Sequence, residues 1–320
     1  MQRRTFMAGL AATAATGLPL GASGETFPTQ SIKIYGGFGP GSSSDVVTRL
    51  MAPQLHQALG QPIVIDNIQG AAGNIAAAMV AKARPDGYTL LSATNSMLGT
   101  NPHLFPNSGV QLDSFVPIAP VTNIGLVVVA GPAAPAQTLE GVLEASRRGR
   151  VTYGTPGAGT PMHLIGEMLR ERSKGDLSHI PYKGGSAMVT DLTSGQVAIG
   201  IVAYTPASGL IKAGQLKPLA VCGTSRLAAL PNVPAVAEVV PGVTIGGWFA
   251  LMAPAGTPDA ICRQIASAVD KALAPPHIQA QLIEMGCDRL KGGPDAVRQL
   301  AKAEYDLSGD LIRRLNIRPV

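Results

Sequence analysis

The chain of 320 residues has few of the residues that build metal centres and disulfide frameworks. It contains three cysteines, an odd number, which excludes a fully paired disulfide framework. Its five histidines are scattered, and neither a CxxC pair nor an HExxH motif is present, so we expect no metal site. Buried free thiols are the expectation for Cys222, Cys262 and Cys287, although a bridge between Cys262 and Cys287 stays open.

Charged and aromatic residues are also scarce, at 14% and 4% of the chain. The arginines that do cluster, within residues 147–150 and 313–314, form no extended basic stripe. Nucleic-acid recognition relies on basic surfaces that are combined with stacking side chains. We therefore expect no nucleic-acid partner.

Long apolar runs are missing as well, since no segment after the N-terminus offers the roughly 18 uninterrupted apolar residues of a membrane span. Residues 1–24 combine a paired arginine, a mildly apolar stretch and small residues before Glu25, which predicts a signal peptide. Residues 3–7, RRTFM, further resemble a twin-arginine signal. We expect cleavage near Ser23 or Gly24 and a soluble, exported mature protein.

The most informative stretch is residues 32–50, where an apolar run, a glycine-rich loop and a helix-like pattern follow one another. Glycines of the first loop, residues 36–42, let the backbone approach a ligand, and residues 42–45 (SSSD) are types that begin helices. Backbone N–H groups at a helix start attract anions. The stretch lacks the lysine of GxxxxGK[ST] and does not match GxGxxG, so nucleotide binding is disfavoured and no cofactor is expected.

A second copy of this pattern occupies residues 151–169. Its loop, residues 155–160, is called the third loop, because the second loop, residues 70–74, precedes it in the chain. Two such units suggest two similar α/β lobes whose helix N-termini meet across a cleft and hold an anion. The alternation of strand-like and helix-like segments predicts, in each lobe, a mostly parallel sheet flanked by helices. We place lobe 1 at residues 25–124 and 246–320, and lobe 2 at residues 125–245.

Other loops are expected to converge on this cleft, because ligands bind at the carboxyl ends of strands in such sheets. The second loop, residues 70–74, and the polar residues 94–96 each follow a predicted strand of lobe 1. In lobe 2, Lys183 and the residues 184–186 follow another strand and could complete an anion pocket. Trp248, near the return crossing between the lobes, is expected to lie in the core.

Six segments in a fixed order resemble those of one protein family. They are FGPGSSSD (38–45), DNIQGAAGNIAAAMVAKARPDGYTLL (66–91), YGTPGAGTPMHL (153–164), PYKGGSAMVTDLTSGQV (181–197), LAALPNVPAVAEVVPG (227–242) and WFALMAPAGTP (248–258). In these motifs the chain resembles the solute-binding proteins of tripartite tricarboxylate transporters, also called the Bordetella uptake (Bug) family.

The resemblance implies a two-lobed periplasmic binding protein of type II, without enzymatic activity. Such a protein closes over a small organic carboxylate and delivers it to the membrane permease subunits of a tripartite tricarboxylate transporter. A monomer suffices for this role. The ligand-binding positions that we expect are Phe38, Gly41, Ser42, Ser43, Ser44, Asp45, Gly70, Ala71, Ala72, Gly73, Asn74, Thr94, Asn95, Ser96, Thr155, Gly157, Ala158, Gly159, Thr160, His163, Lys183 and Gly184.

The chain departs from the family pattern at three places. Ser42 replaces the second glycine of the first loop, and Ile68-Gln69 replaces an arginine-proline pair. Ala198 and Val202 stand where the family commonly has two acidic residues. A buried ligand ammonium would need a carboxylate partner, so these last changes favour a plain organic anion over an amino acid.

Two other interpretations stay open. Ser42, Ser43 and Ser44 with His163 and either Asp45 or Asp191 are the raw ingredients of a periplasmic hydrolase, but the chain has no GxSxG elbow. His163 could equally bond its own loop. A ligand-presenting sensor protein would differ only in its docking surface, which the sequence does not identify.

Overall fold

The structure is a computed structural model that describes residues 27–182 and 184–318. The predicted signal peptide and Lys183 lie outside these residues. Two five-stranded sheets, each flanked by helices, make up the described part of the chain. The predicted α/β fold with two lobes is therefore confirmed.

The strands are β1 (Ile32–Gly36), β2 (Ile63–Asn67), β3 (Thr89–Thr94), β4 (Phe115–Ile124), β5 (Leu126–Ala130), β6 (Val151–Thr155), β7 (Leu177–Pro181), β8 (Ile199–Ala203), β9 (Lys217–Val221) and β10 (Gly247–Pro254). The helices are α1 (Ser43–Leu59), α2 (Asn74–Ala81), α3 (Asn101–Leu104), α4 (Leu139–Arg148), α5 (Pro161–Ser173), α6 (Gly185–Thr193), α7 (Tyr204–Lys212), α8 (Val236–Val239), α9 (Asp259–Leu273), α10 (Pro276–Glu284) and α11 (Pro294–Arg314). A π-helical turn, Ser96–Thr100, precedes α3.

Both sheets have the same strand topology. The order is β2-β1-β3-β10-β4 in lobe 1 and β7-β6-β8-β5-β9 in lobe 2. Four strands of each sheet run parallel, and the fifth, β10 or β5, is antiparallel to its neighbours. The antiparallel strand is in each case the first strand after the chain crosses from the other lobe. The lobe boundaries at residues 124/125 and 245/246 stay a prediction.

The central strands are apolar along their whole length because both of their faces are covered. Every residue of β5 and of β10 is buried. Strand β2 alternates between half-buried and exposed residues because it lies at the edge of its sheet. This difference follows the general contrast between buried parallel-type sheets and exposed edges. Trp248 of β10 is 5% exposed and packs in the core, as predicted.

The first crossing between the lobes turns at Gly125. Its N–H donates to the carbonyl of Gly286 at 2.9 Å, and its own carbonyl accepts from the N–H of Tyr204 at 2.7 Å. A Cβ on Gly125 would lie 2.5 Å from the oxygen of Gly286, so only glycine fits. The crossing is therefore hydrogen-bonded on one side to the segment after α10 and on the other side to the start of α7.

The cysteines are buried free thiols, which confirms the expectation and excludes the bridge between Cys262 and Cys287 in this structure. Burial raises the pKa of the Cys287 thiol to about 11. The thiol therefore stays protonated and behaves as a small apolar side chain at neutral pH.

The C-terminal helices return to lobe 1. Helix α9 packs against α1, and α11 packs against β4 and the turn Ser96–Thr100. An ion pair between Arg314 of α11 and Glu171 of α5 reaches lobe 2. Helix α11 therefore contacts both lobes.

Candidate functional site

The first loop is shaped by Asp45, which lies in the first turn of α1. One carboxylate oxygen accepts from the N–H of Gly41 at 2.8 Å, and the other accepts from Asn67 at 2.7 Å and from Arg49 at 2.9 Å. Burial alone would raise the pKa of Asp45, but the hydrogen bonds from Arg49, Asn67 and Gly41 outweigh it and lower that pKa. The charge of Asp45 is therefore directed at the protein itself.

The serines of the first loop have separate tasks. Ser42 caps α1, since its hydroxyl accepts from the N–H of Asp45 at 3.4 Å. Ser43 donates its hydroxyl proton to Thr205 of lobe 2. Ser44 is buried, and its carbonyl accepts from Thr48 at 2.6 Å. The prediction that these serines begin a helix is confirmed.

The second loop packs directly against the first. A Cβ on Gly37 would lie 2.4 Å from the Cα of Gly73, so the two backbones approach as closely as glycines allow. The side chain of Asn101 fixes this loop by donating to the carbonyls of Ala71 at 3.4 Å and Ala72 at 3.1 Å. Helix α2 then starts at Asn74 without a side-chain cap, because its N-cap is Gly73. The N–H of Asn74 donates to the carbonyl of Ala71, and no capping side chain takes up the other amides of the first turn.

Residues 94–96, at the end of β3, bond mainly to the protein. The hydroxyls of Thr94 and Ser96 lie 2.9 Å apart. The amide of Asn95 donates to the carbonyl of Gly246 at the second crossing, at 3.0 Å. These three buried side chains support the loop edge and connect it to the crossing.

The third loop begins α5. The hydroxyl of Thr160 accepts from the N–H of His163 at 3.4 Å and donates to the carbonyl of Gly157 at 2.8 Å. Thr155 is fully buried and donates to the same carbonyl at 3.0 Å. His163 accepts from the N–H of Gly159 at 3.0 Å through Nδ1. Of the two roles left open for His163, the structure therefore shows the one of bonding its own loop.

Helix α6 starts beside the third loop. The N–H of its N-cap, Gly184, donates to the carbonyl of Pro156 at 3.0 Å. Gly184 has no side chain with which to cap the helix, and a Cβ on Gly184 or Gly185 would meet no described atom within 4 Å. Among the described residues, therefore, no side chain caps the start of α6 and none lies against its two glycines.

A chain of contacts joins the uncapped starts of α2 and α6. Asn101, the first residue of α3, holds the second loop, and Leu104, the last, contacts the third loop. A Cβ on Gly159 would lie 2.1 Å from Leu104 Cδ1. The third loop in turn bonds Gly184. Both helix starts, one in each lobe, therefore lie along the same interlobe boundary.

The arrangement can bind an anion but is poorly suited to hydrolysis. The Nδ1 lone pair of His163 is used by a backbone N–H, and its Nε2 lies 3.9 Å from Glu167. Among the described side chains, no serine hydroxyl is hydrogen-bonded to either nitrogen. Within residues 27–182 and 184–318, no cluster of three or more His, Cys, Asp or Glu side chains could hold a metal ion. The same residues include no helix that could cross a membrane.

Comparison with known proteins places these features in a family. Residues 47–317 match the model of the tripartite tricarboxylate transporter family receptor (TctC). Protein BugT of Bordetella pertussis is 31% identical over 305 residues, covering 94% of each chain. The chain belongs to the TctC receptor family. It is thus a member of a family of periplasmic solute-binding receptors, as the motifs predicted.

Solved structures agree with this assignment. An R. palustris protein solved with adipate is 29% identical, with a TM-score of 0.84 and coverage of 92% of this chain and 100% of that one. MatC from Rhodopseudomonas palustris, solved with bound malate, is 28% identical, with a TM-score of 0.80 and coverage of 89% and 100%. The receptor fold of this chain is therefore shared with proteins that bind carboxylates.

Two residues of the site were not among those predicted from the sequence. Thr205, at the start of α7, links the lobes through Ser43, and His179 of β7 stacks against His163. Thr205 precedes a proline just after a strand, which is a helix-start signal that could have identified it. The position of His179 depends on the pairing of β6 with β7, which no local pattern indicates.

Proposed function

We propose that this receptor captures a small organic carboxylate between its two lobes and delivers it to the membrane permease of a tripartite tricarboxylate transporter. The observation that carries this proposal is the pair of uncapped helix starts, at α2 and α6, joined through α3. Because adipate and malate occupy two relatives, dicarboxylates are the first class to test. The receptor acts in the periplasm after removal of residues 1–24, and it has no enzymatic activity of its own.

The free energy available from these helix starts and hydrogen bonds is sufficient for the affinity of a transport receptor. A helix N-terminus presents about half a positive charge, so two of them balance about one carboxylate. Charge-assisted hydrogen bonds contribute about 1.5 to 3 kcal/mol each. Four or five of them reach the roughly 8 kcal/mol of micromolar affinity after the costs of ordering are subtracted. Of the residues predicted from the sequence, we assign those of the second loop and Gly184 to direct ligand contact.

A thermal-shift screen of the protein from Glu25 onward tests the proposal. The panel contains mono-, di- and tricarboxylates, aromatic acids and amino acids. A ligand at 100 times its dissociation constant stabilises the folded state by about 2.7 kcal/mol. We expect a shift with di- or monocarboxylates. The proposal fails if only amino acids or no acids shift the transition and mass spectrometry after unfolding finds no retained ligand.

Substitution at Gly185 tests where the carboxylate binds. Gly185→Asp places a negative charge in open space at the start of α6, where an acidic residue stabilises a helix by about 0.3 to 1 kcal/mol. The same charge repels an incoming carboxylate, so we expect affinity to fall by at least about tenfold. Gly185→Asn is the control of equal size. Equal affinities for the two variants would show that the ligand does not lie at α6.

A further inference from the structure

One buried and one half-buried histidine, His163 and His179, lie behind the third loop and have no part in the ligand contacts proposed above. The rings of His163 (α5) and His179 (β7) are stacked with centroids 3.8 Å apart and an angle of 13° between their planes. The ring of Tyr153 (β6) stacks on His179 with a centroid distance of 4.9 Å. The three rings thus form a column between α5 and the sheet of lobe 2.

Each histidine holds one side of the third loop. His163 Nδ1 accepts the N–H of Gly159 at 3.0 Å, so this nitrogen must be unprotonated. The hydroxyl of Thr155 donates to Gly157, so the contact of 2.7 Å between Thr155 and His179 Nε2 has the ring nitrogen as donor. The loop geometry therefore requires a neutral His163 whose proton is on Nε2.

The surroundings keep the pair neutral. Burial lowers the pKa of His163, while Glu167 raises it and Arg170 lowers it. Burial lowers the pKa of His179 to about 4, and His163 contributes in the same direction. Glu167 is itself occupied, because its carboxylate accepts from Tyr153 at 2.7 Å and from Arg170 at 2.8 Å.

The neighbouring helices direct their charges elsewhere. Arg147 of α4 donates to the carbonyl of Ser173, and Arg314 of α11 pairs with Glu171. Among the described residues, the ionisable groups that act on the histidine pair are thus Glu167, Arg170 and the two rings themselves.

We propose that the stacked pair of His163 and His179 positions the third loop for ligand binding, and that protonation of the pair opens this loop and releases the ligand. This inference rests on the proposed function, because the third loop holds Gly184 through the carbonyl of Pro156, and that proposal assigns Gly184 to ligand contact. His163 and His179 act through the loop and are positioning residues.

The direction of the pH effect follows from the atoms involved. A proton on His163 Nδ1 would turn the acceptor of the Gly159 N–H into a second donor, so that hydrogen bond is lost. It would also place a charge against the second ring in a buried site. Because the pKa of each histidine is lowered, the ordered loop is fully present above the ordinary histidine pKa of about 6.5 and is lost as the pH falls through the lowered value.

The first test needs no ligand. Amide hydrogen exchange at Gly159, corrected for the intrinsic pH dependence of exchange, is measured by NMR between about pH 7 and about pH 4. His163→Asn keeps an acceptor atom near the position of Nδ1 but cannot be protonated there, and His163→Leu removes the acceptor. We expect protection in the wild type to fall towards acid pH, as His163 becomes protonated. The Asn variant should stay protected throughout, and the Leu variant should be unprotected at both pH values.

The second test uses malate as the probe in calorimetric titrations of the same proteins. Between about pH 7 and about pH 4, the wild type should lose more affinity than His163→Asn does. Protonation of malate is common to both proteins and therefore cancels in the comparison. Failure of all variants to bind malate at neutral pH would count against the proposed ligand class, while the exchange result would still decide the inference. Unchanged protection of Gly159 in the wild type, or an equal fall in the Asn variant, would overturn it.

Discussion

Asp45 illustrates how a residue that the sequence places at the site can be bonded within the protein itself. Its carboxylate is 5% exposed and connects the first loop, the end of β2 and the second turn of α1 through Gly41, Asn67 and Arg49. Its place beside three serines makes it look like part of an anion site in the sequence. Its negative charge would repel a carboxylate, and its hydrogen bonds show where that charge is neutralised instead.

Replacing Asp45 should therefore affect both stability and binding. Asp45→Ala leaves buried donors without an acceptor, so we expect the free energy of unfolding to fall by about 2 kcal/mol and carboxylate affinity to fall as the first loop loosens. Asp306→Ala is the control, because the pair that Asp306 forms with Lys302 is exposed and contributes less than about 1 kcal/mol. Urea unfolding measures the free energy of unfolding of both variants. Equal effects of the two substitutions would refute the role given to Asp45.

Glu304 is a second buried carboxylate, on α11 against the turn Ser96–Thr100. Burial raises its pKa to about 7, while Asn95 and Ser308 act in the opposite direction. A Cβ on Gly99 would lie 2.4 Å from Glu304 Cγ, so the carboxyl group has little room to move. With a raised pKa, the stability that Glu304 contributes is present below its ordinary pKa and is lost as the pH rises through about 7.

Glu304→Gln should remove this pH dependence. At about pH 5 the variant and the wild type should be similarly stable, and at about pH 8.5 the variant should be more stable by about 2 kcal/mol, because it buries no charge. Urea denaturation at the two pH values measures the difference. Glu284→Gln, on an exposed position of α10, should show no such change. A wild-type protein whose stability rises from pH 5 to pH 8.5 relative to the Gln variant would contradict this account.

Between elements, the contact of the first two loops decides the shape of lobe 1 at the cleft. Gly37 and Gly73 approach so closely that a methyl group added to Gly37 would push the two loops apart. Gly37→Ala should therefore destabilise the protein by about 1 to 3 kcal/mol and weaken ligand binding. Gly209→Ala, in an exposed part of α7 where a Cβ meets nothing within 4 Å, should stabilise it by about 0.5 to 1 kcal/mol. Thermal unfolding of the two variants should give shifts of opposite sign; a neutral Gly37→Ala would contradict the packing.

Sequence patterns indicate best the elements that have continuous local signals. Strands β5 and β10 are unbroken apolar runs, and α1 begins at three serines and an aspartate. Contacts that join distant segments could not be predicted in this way. The stack of His163 on His179 and the bond of Asn101 to the second loop depend on which strands pair and on how a turn folds back. The ligand-binding list from the sequence consequently mixed residues that face open space, such as Gly184, with residues bonded to the protein, such as Thr155.

For the molecule as a whole, the two lobes are joined by a hydrogen-bond relay next to the first loop. Ser43 donates to Thr205 at 2.9 Å, and Thr205 donates to the carbonyl of Met285 at 2.9 Å. The relay thus connects α1, the start of α7 and the segment beside the first crossing. Since it spans both lobes, it contributes only when they are together, which is the arrangement that the proposed capture of a ligand between the lobes would favour.

A double-mutant cycle tests this relay. Ser43→Ala and Thr205→Val should each lower carboxylate affinity by about fivefold, and the double variant should lose little more, because one hydrogen bond contributes about 1 kcal/mol. Ser208→Ala is the control, since its hydroxyl bonds within α7. Titration calorimetry measures the four affinities. Additive losses would show that Ser43 and Thr205 do not act together.

A crystal structure of the protein from Glu25 onward, with the carboxylate that stabilises it most, tests the central claim most directly. The account predicts a carboxylate between the lobes, accepting hydrogen bonds from backbone N–H groups at the start of α2, of α6 or of both, within about 3 Å. A ligand bound away from both helix starts would contradict it, even if the family assignment and the fold were unchanged.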